Sequence, residues 1–383
     1  MTENNGGRAF KMKNISVIGV GKLGLCFSLT LEEAGYNVLG VDINEQYVSS
    51  LNKRKYLSNE PGVDKHLRIA TNFEATMDLK RAVDFSDFLY TVVATPSLPN
   101  GEYDHSQVDS LVKKLIQFGP QKSKKYLVIC CTTMPEYCDF IQEKLESYNY
   151  EVCYNPEFIA QGTILRDQLK PDMVLIGESS KLAGDLIQEH YERMTENEPT
   201  FCRMSRTEAE ICKISLNCFL TTKISFANMV GDICVKAGAN PDTVLKAVGS
   251  DSRISNKYLG FGYGYGGPCF PRDNRALAKY ALSKGVDALV SKASDDMNTA
   301  HIVNQFDDFV KSNPNKEKEV VFDYVTYKPQ TTILEESQQL KFAVMLAKAG
   351  YNVVVKERNP VVKELKARFG DLFFYEKQHF NTD

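Results

Sequence analysis

The chain has 383 residues, 43% hydrophobic and 25% charged, and 46 Lys and Arg against 49 Asp and Glu leave a net charge of −3. That composition excludes a disulfide-stapled miniature fold, a disordered or collagen-like chain, and a broad basic field for holding a phosphate backbone. The length calls for two or three domains of about 100–200 residues each. No apolar run approaches the ~20 residues of a membrane helix. The start, Met1-Thr2-Glu3-Asn4-Asn5-Gly6-Gly7, lacks the basic-then-apolar order of a signal peptide. The expectation is a cytoplasmic protein with neither nucleic acid nor membrane as partner. Ten cysteines show no framework spacing, and many (Cys26, Cys130, Cys131, Cys212, Cys218, Cys234) lie in apolar segments, which reads as buried thiols. His66, His105, His190, His301 and His379 show no metal-ligand spacing, so no metal is expected.

The first element is the apolar run Ile15-Ser16-Val17-Ile18-Gly19-Val20, a buried strand, followed by Gly21 and a helix to Ala34-Gly35. Val38-Leu39-Gly40-Val41-Asp42 is the next strand. Further buried strands at 88–94, 126–131, 152–154 and 173–177 alternate with helix-length segments, the signature of a parallel α/β sheet. Residues 207–237 then carry no proline, one glycine and apolar residues at helical spacing on several faces, which predicts one long helix buried by more than one domain or subunit. A second α/β pattern follows: a strand at 320–325, a helix around 337–348 and a strand at 351–356. It repeats the first. Leu31-Glu32-Glu33-Ala34-Gly35-Tyr36-Asn37-Val38 is echoed by Leu346-Ala347-Lys348-Ala349-Gly350-Tyr351-Asn352-Val353, and Asp42 aligns with Glu357. Gly19, Gly21 and Gly24 align with Leu334, Glu336 and Gln339, so only the first unit keeps the glycines that let a backbone approach a ligand. The predicted fold is α/β, two Rossmann-like parallel-sheet domains joined by a long central helix. Its divisions are 1–205, 206–300 and 301–383.

Gly19-Val20-Gly21-Lys22-Leu23-Gly24 between strand and helix, with Asp42 ending the next strand, is the pattern for a dinucleotide: pyrophosphate at the helix N-terminus, carboxylate on the ribose. Asp42 without a following arginine favours NAD. Thr95-Pro96 and Thr133-Met134-Pro135 follow predicted strands, where hydroxyls can face a cofactor or simply make turns. Asn155-Pro156-Glu157-Phe158 also follows a strand, and Glu157 is either a proton carrier or a turn carboxylate. Lys213 and Asn217 share a helix face and can present donors to an oxyanion, or Lys213 can snorkel to solvent. Segment 260–273 holds five glycines and ends in Cys269-Phe270-Pro271-Arg272-Asp273. It reads either as a loop bent around a ligand, with a thiolate and a base, or as a flexible loop with an incidental cysteine.

Taken together, Gly19-x-Gly21-x-x-Gly24, Gly40-Val41-Asp42, Glu60-Pro61-Gly62, Thr95-Pro96, Thr133-Met134-Pro135, Asn155-Pro156-Glu157-Phe158, the Lys213 to Asn217 helix, Arg253-Ile254, Gly266-Gly267-Pro268-Cys269-Phe270-Pro271-Arg272-Asp273 and Tyr327-Lys328-Pro329 stand in one order. Over its whole length the chain resembles the UDP-glucose/GDP-mannose dehydrogenase family. The resemblance implies NAD-dependent four-electron oxidation of a nucleotide sugar at C6, with Cys269 carrying a thiohemiacetal and then a thioester. It implies Lys213 and Asn217 on the oxyanion, Asp273 and Glu157 moving protons, and Thr133 orienting water. It also implies cofactor contacts from Gly19 to Gly24, Asp42, Thr95, Pro96, Thr133 and Arg272. Substrate contacts would come from Glu157, Phe158, Lys213, Asn217, Arg253, Tyr258, Phe261, Gly266 and Lys328.

UDP-glucose is the leading substrate, with another UDP- or GDP-sugar oxidised by the same route as the alternative; the Cys-Phe-Pro-Arg-Asp wording resembles the glucose and mannose branches more than the N-acetylhexosamine branch. A homodimer through helix 207–237 is the implied assembly. The chain departs from the family pattern at Gln161, where many relatives have glutamate, at Glu335 in place of an arginine, at Arg272 in place of lysine, and in a shorter tail. Two other readings share the layout: a two-electron hydroxyacid dehydrogenase, for which Cys269 is dispensable, and a catalytically silent nucleotide-sugar sensor, motivated by Gln161 and Glu335.

Overall fold

A computed structural model describes residues 13–159 and 161–377; the opening run Met1 to Gly7 and His379 lie outside them. Eight strands form the large sheet: β1 (Asn14–Ile18), β2 (Asn37–Val41), β3 (Phe73–Thr76), β4 (Phe88–Thr91), β5 (Lys125–Ile129), β6 (Tyr150–Tyr154), β7 (Met173–Gly177) and β8 (Thr200–Met204). Their order is β3-β2-β1-β4-β5-β6-β7-β8. All neighbours are parallel except β6 and β7, which run antiparallel, a reversal that the apolar runs do not encode. The edge strands β3 and β8 are additions to the sequence reading. Glu74 on β3 and Thr200 on β8 are exposed, so neither is a continuous apolar run.

The sheet sorts its side chains by the two-residue period of a strand. Ile15, Val17, Tyr126 and Val128 enter the core on one face; Ile18, Leu127 and Ile129 enter the core on the other. Helices cover both faces, as a parallel sheet requires.

A second, three-stranded parallel sheet has the order β11 (Phe374–Lys377), β10 (Val353–Glu357), β9 (Val320–Phe322). Its helix Gln338–Lys348 starts where Ser337 Oγ accepts the Leu340 N–H, and packs Phe342, Ala343 and Leu346 into a separate core.

Chain contacts divide the molecule into two compact units, one formed by residues up to Leu98 and Tyr103–Lys213, the other by Pro99–Glu102 and Ile214 onward. The division falls within the helix Arg206–Lys236, which is 31 residues long, and not at its start. By length and composition this helix would also suffice to cross a membrane. Its charged residues nonetheless have protein partners: Glu210 and Lys213 in the first unit, Asp232 in the second.

Candidate active site

In the first unit the strand order reverses between β1 and β4, the position where open α/β sheets bind ligands. Gly19 has φ +91°, and a Cβ there would lie 2.3 Å from the Val92 carbonyl beyond β4. A Cβ on Gly24 would lie 1.9 Å from the Gly19 carbonyl. Both glycines therefore serve the chain's own packing. Gly21 is different: it caps helix Lys22–Glu33 with no side chain, and a Cβ there would meet nothing within 4 Å. Space is therefore open beside Gly21, at a helix end whose first N–H groups have no intrahelical partners, which suits an anion. Asp42 stands half-buried just beyond β2, whose neighbour is β1, with Oδ1 accepting the Asn44 N–H at 3.0 Å. Bare helix end and carboxylate together fit a dinucleotide.

The loops after β4, β5 and β6 are tied to one another. Thr95 is buried and donates from Oγ1 to the Thr132 carbonyl at 2.8 Å, while the Pro96 carbonyl accepts the Asp104 N–H. Thr133 is entirely buried, and its hydroxyl donates to Glu210 Oε1 at 2.8 Å. Its proton is thus committed to a carboxylate, and in this conformation it has no surface to offer water. Glu210 also accepts the N–H groups of Cys138 (2.9 Å) and Glu136 (2.7 Å), at the start of helix Tyr137–Leu145. Burial pushes the Glu210 carboxyl up to about 7 against these hydrogen bonds.

Lys213 Nζ donates to the Glu157 carbonyl at 2.5 Å and sits 4.3 Å from the centre of the Phe158 ring. Lys213 is buried, so it does not snorkel. Burial pushes the Glu157 carboxyl up to about 7, with the Lys213 charge opposing. Gln161, at one of the departures, accepts from Lys22 Nζ at 3.2 Å and so links this loop to the glycine turn. Glu60, quoted above only as part of a motif, is buried and accepts the N–H groups of Gly162 and Ile164 at 3.0 and 2.8 Å.

In the second unit Cys269 sits at the N-terminus of helix Phe270–Ser283. Of ten cysteines seven are buried, two are intermediate, and Cys269 is the exposed one. Desolvation holds Cys26 and Cys218 up at about 12. One turn on, Asp273 is fully buried, accepts from Asn217 Nδ2 at 2.6 Å and pairs with Arg272 Nε at 3.3 Å; its N–H bonds the Cys269 carbonyl at 2.8 Å.

The glycine segment before Cys269 is fastened rather than loose. Tyr265 N–H donates to Asn298 Oδ1 (2.9 Å), its carbonyl accepts from Asn298 Nδ2 (3.0 Å) and Gln338 Nε2 (3.2 Å), and its hydroxyl donates to Asp295 (2.9 Å). A Cβ on Gly266 would lie 2.4 Å from the Glu336 carbonyl, and Gly267, at φ +81°, lies against the Tyr327 ring and donates to the Glu335 carbonyl at 3.0 Å. Two of the five glycines thus buy close approach of the chain to itself, which overturns the flexible-loop reading.

Arg253, Tyr258, Phe261 and Lys328, expected at the sugar, belong to the second unit. Arg253 is exposed and held by both oxygens of Asp251 at 3.0 and 2.8 Å. Tyr258 is half exposed, in the left-handed region at φ +61°. The Phe261 ring lies against Gly231 and 5.6 Å from the His301 ring, and the Lys328 carbonyl accepts from Thr326 and Thr331. Sequence reasoning missed Glu210, His301 and Asp232. The usable signal was polar residues three or four apart on the two long helices, each with a buried face.

The family model for the NAD binding domain of the UDP-glucose/GDP-mannose dehydrogenase family matches residues 13–195, and that for its central domain matches 207–300. The chain belongs to this family. Among relatives, it is 30% identical to UDP-glucose 6-dehydrogenase TuaD of Bacillus subtilis, over 95% of this chain and 80% of that one. It is 29% identical to GDP-mannose 6-dehydrogenase of Pseudomonas syringae, over 90% and 81%. A solved UDP-glucose dehydrogenase from the archaeon Pyrobaculum islandicum superimposes with a TM-score of 0.86 at 27% identity, covering 97% of this chain and 87% of that one. The protein is an NAD-dependent nucleotide-sugar dehydrogenase, and residues 13–195 match the family's NAD binding domain.

Proposed function

We propose that this dehydrogenase converts UDP-glucose to UDP-glucuronate, with Cys269 carrying the substrate between two oxidations. The observation that carries the reading is the exposure of Cys269: the exposed thiol among ten, at a helix start whose dipole favours an anion, one turn from a buried carboxylate. NAD, when bound, accepts a hydride from C6 in each oxidation.

The chain's residues do the rest. The Cys269 thiolate adds to the C6 carbonyl carbon of the aldehyde, the carbonyl electrons move to oxygen, and Lys213 and Asn217, one turn apart on one helix, stabilise that oxyanion. Oxidation of this thiohemiacetal leaves a thioester. Water then attacks C6, the thiolate departs, and the carboxylate is released. Glu157, held near neutrality, and Asp273 carry the protons. Thr133, with its proton given to Glu210, serves by fixing the loop after β5. Arg253, Tyr258, Phe261, Gly266 and Lys328 are assigned to the nucleotide sugar, and Arg272 to the cofactor side. UDP-glucose is preferred because TuaD and the Pyrobaculum enzyme bear that specificity in their names. The deciding experiment incubates the protein with NAD and a panel of UDP- and GDP-sugars. Two NADH per uronate from UDP-glucose is expected; one NADH per product, or turnover confined to GDP-mannose, overturns the reading.

We also propose that two copies associate through the helix Arg206–Lys236. Phe219, Phe226 and Ile233 recur at seven-residue spacing on it and are 66%, 46% and 59% exposed. Such a stripe is the seam of a helix pair. Light scattering is expected to give a dimer, and Phe226→Glu a monomer.

A further inference from the structure

The second unit buries one more charged constellation, built around the backbone of the glycine segment. Asn228 and Asp232 lie one turn apart on helix Arg206–Lys236, and His301 and Gln305 one turn apart on helix Leu289–Ser312. Gly262 runs between them. Its N–H donates to Asn228 Oδ1 at 3.1 Å, and its carbonyl accepts from His301 Nε2 at 2.6 Å and Gln305 Nε2 at 3.1 Å. On the other side of the imidazole, Nδ1 lies 2.9 and 3.0 Å from the two oxygens of Asp232, and Asp232 also accepts from Asn304 Nδ2 at 2.9 Å. His301 is completely enclosed.

Both ring nitrogens therefore face groups that accept hydrogen bonds: a carboxylate and a backbone carbonyl. A neutral imidazole carries one N–H, and beside an ionised Asp232 it would leave one contact with two acceptors facing each other where water cannot intervene. The geometry closes when both nitrogens carry hydrogen and Asp232 balances the charge, which makes both contacts charge-assisted.

We propose that His301 and Asp232 form a buried ion pair that positions the 260–263 stretch and thereby sets the affinity for the nucleotide sugar. His301 is a positioning residue here, and this role rests on the reading of 260–267 as part of the substrate site. The effect falls on binding because the rest of the segment has its own anchors. Tyr265 is held by Asn298 and Gln338, and Cys269 opens its own helix. The clamp at Gly262 also backs Phe261, whose ring lies so close to Gly231 that a Cβ there would approach within 1.9 Å.

The first test is nitrogen NMR of the full-length protein labelled with 15N-histidine, with the His301 signals assigned by their loss in His301→Gln. Two protonated ring nitrogens at neutral pH are expected; one unprotonated nitrogen overturns the ion pair. The second test is steady-state kinetics with UDP-glucose. His301→Gln can still donate to the Gly262 carbonyl but leaves Asp232 without its cation, so its KM is expected to rise by about threefold, whereas His301→Phe, which loses both, raises KM by about tenfold, with kcat within about twofold in each. Equal KM values for the two variants, or a fall in kcat alone, overturn the positioning role. Should His301→Phe fail to fold, Asp232→Asn, which removes the charge at nearly constant shape, is expected to raise KM in its place, and an unchanged KM there overturns the role equally. If the wild-type protein oxidises no nucleotide sugar, the substrate reading fails while the NMR result still decides the ion pair.

Discussion

Residues 31–38 and 346–353 spell nearly the same sequence and close their helices in the same way. Gly35 and Gly350 take φ +91° and +88°, and the N–H groups of Tyr36 and Tyr351 reach back to the Leu31 and Leu346 carbonyls at 3.2 and 3.1 Å. The acidic residue after the next strand then diverges. Asp42 stands half-buried beside the bare helix end at Gly21, whereas Glu357 is buried and accepts the N–H groups of Val325 and Thr326 at 3.0 and 3.2 Å. Asp42 gives one oxygen to the Asn44 N–H and stays half-buried, whereas Glu357 is buried with its own backbone as partner. A shared β-α-β scaffold thus does not carry a shared function, and the difference is made by where one side chain finds its partner.

The sharpest way to test that division of labour removes the sulfur. Cys269→Ser is expected to lower complete oxidation by about 10³-fold or more, since the hydroxyl is a far weaker nucleophile and no thioester can form. NAD binding, measured by calorimetry, is expected to be unchanged, because the Cys269 thiol is assigned to the sugar and not to the cofactor. Full production of uronate by this variant would end the covalent route.

Next in size are the two acidic residues compared directly. Asp42→Ala is expected to raise the KM for NAD by about 10- to 100-fold, the worth of charged hydrogen bonds, with the thermal midpoint unmoved. Glu357→Ala reverses the pattern. It orphans two buried N–H groups at about 1–3 kcal/mol each, so the midpoint falls by several degrees while the KM for NAD holds. If Glu357→Ala instead weakened NAD, the second β-α-β repeat would share the cofactor and the comparison would break.

Much of this was legible from residues alone, for identifiable reasons. The glycine turn, Asp42, the buried strands and the long helix are local patterns whose physics is complete within about thirty residues. Long-range pairings were not. Nothing in Val152 to Tyr154 or Met173 to Gly177 says that β6 and β7 run antiparallel. Glu210 reads as a solvated helix residue until Thr133 and two backbone N–H groups, over seventy positions away, are seen to meet it. The glycines of 260–267 announce an unusual backbone but not its reason, which lies in Asn298, Tyr327 and Glu336.

The smallest expected effect separates the units by pH. The first unit holds Glu157, partly buried, and Glu210, fully buried, and desolvation holds both carboxyls up at about 7 from an ordinary 4.5. The second unit buries Asp273 with Arg272 and Asn217, and Asp232 with His301. A carboxyl that binds its proton more tightly folded than unfolded adds stability that is fully present below the unfolded value and is lost as pH rises through the folded one. His190 opposes them: burial holds its imidazole down at about 3 from an ordinary 6.5, so its share of the stability grows as pH rises towards 6.5. Two carboxyls outweigh one imidazole, and the thermal midpoint is expected to decline between about pH 4.5 and pH 7, less steeply than the carboxyls alone would make it. In Glu157→Gln the decline becomes shallower, by on the order of a few degrees across that window, because one of the two contributing protons is gone. An unchanged slope would mean that Glu157 is already ionised in the folded protein at mildly acid pH. It would then have no proton to give near neutrality, and the proton-carrying part of the mechanism would pass to Asp273 alone.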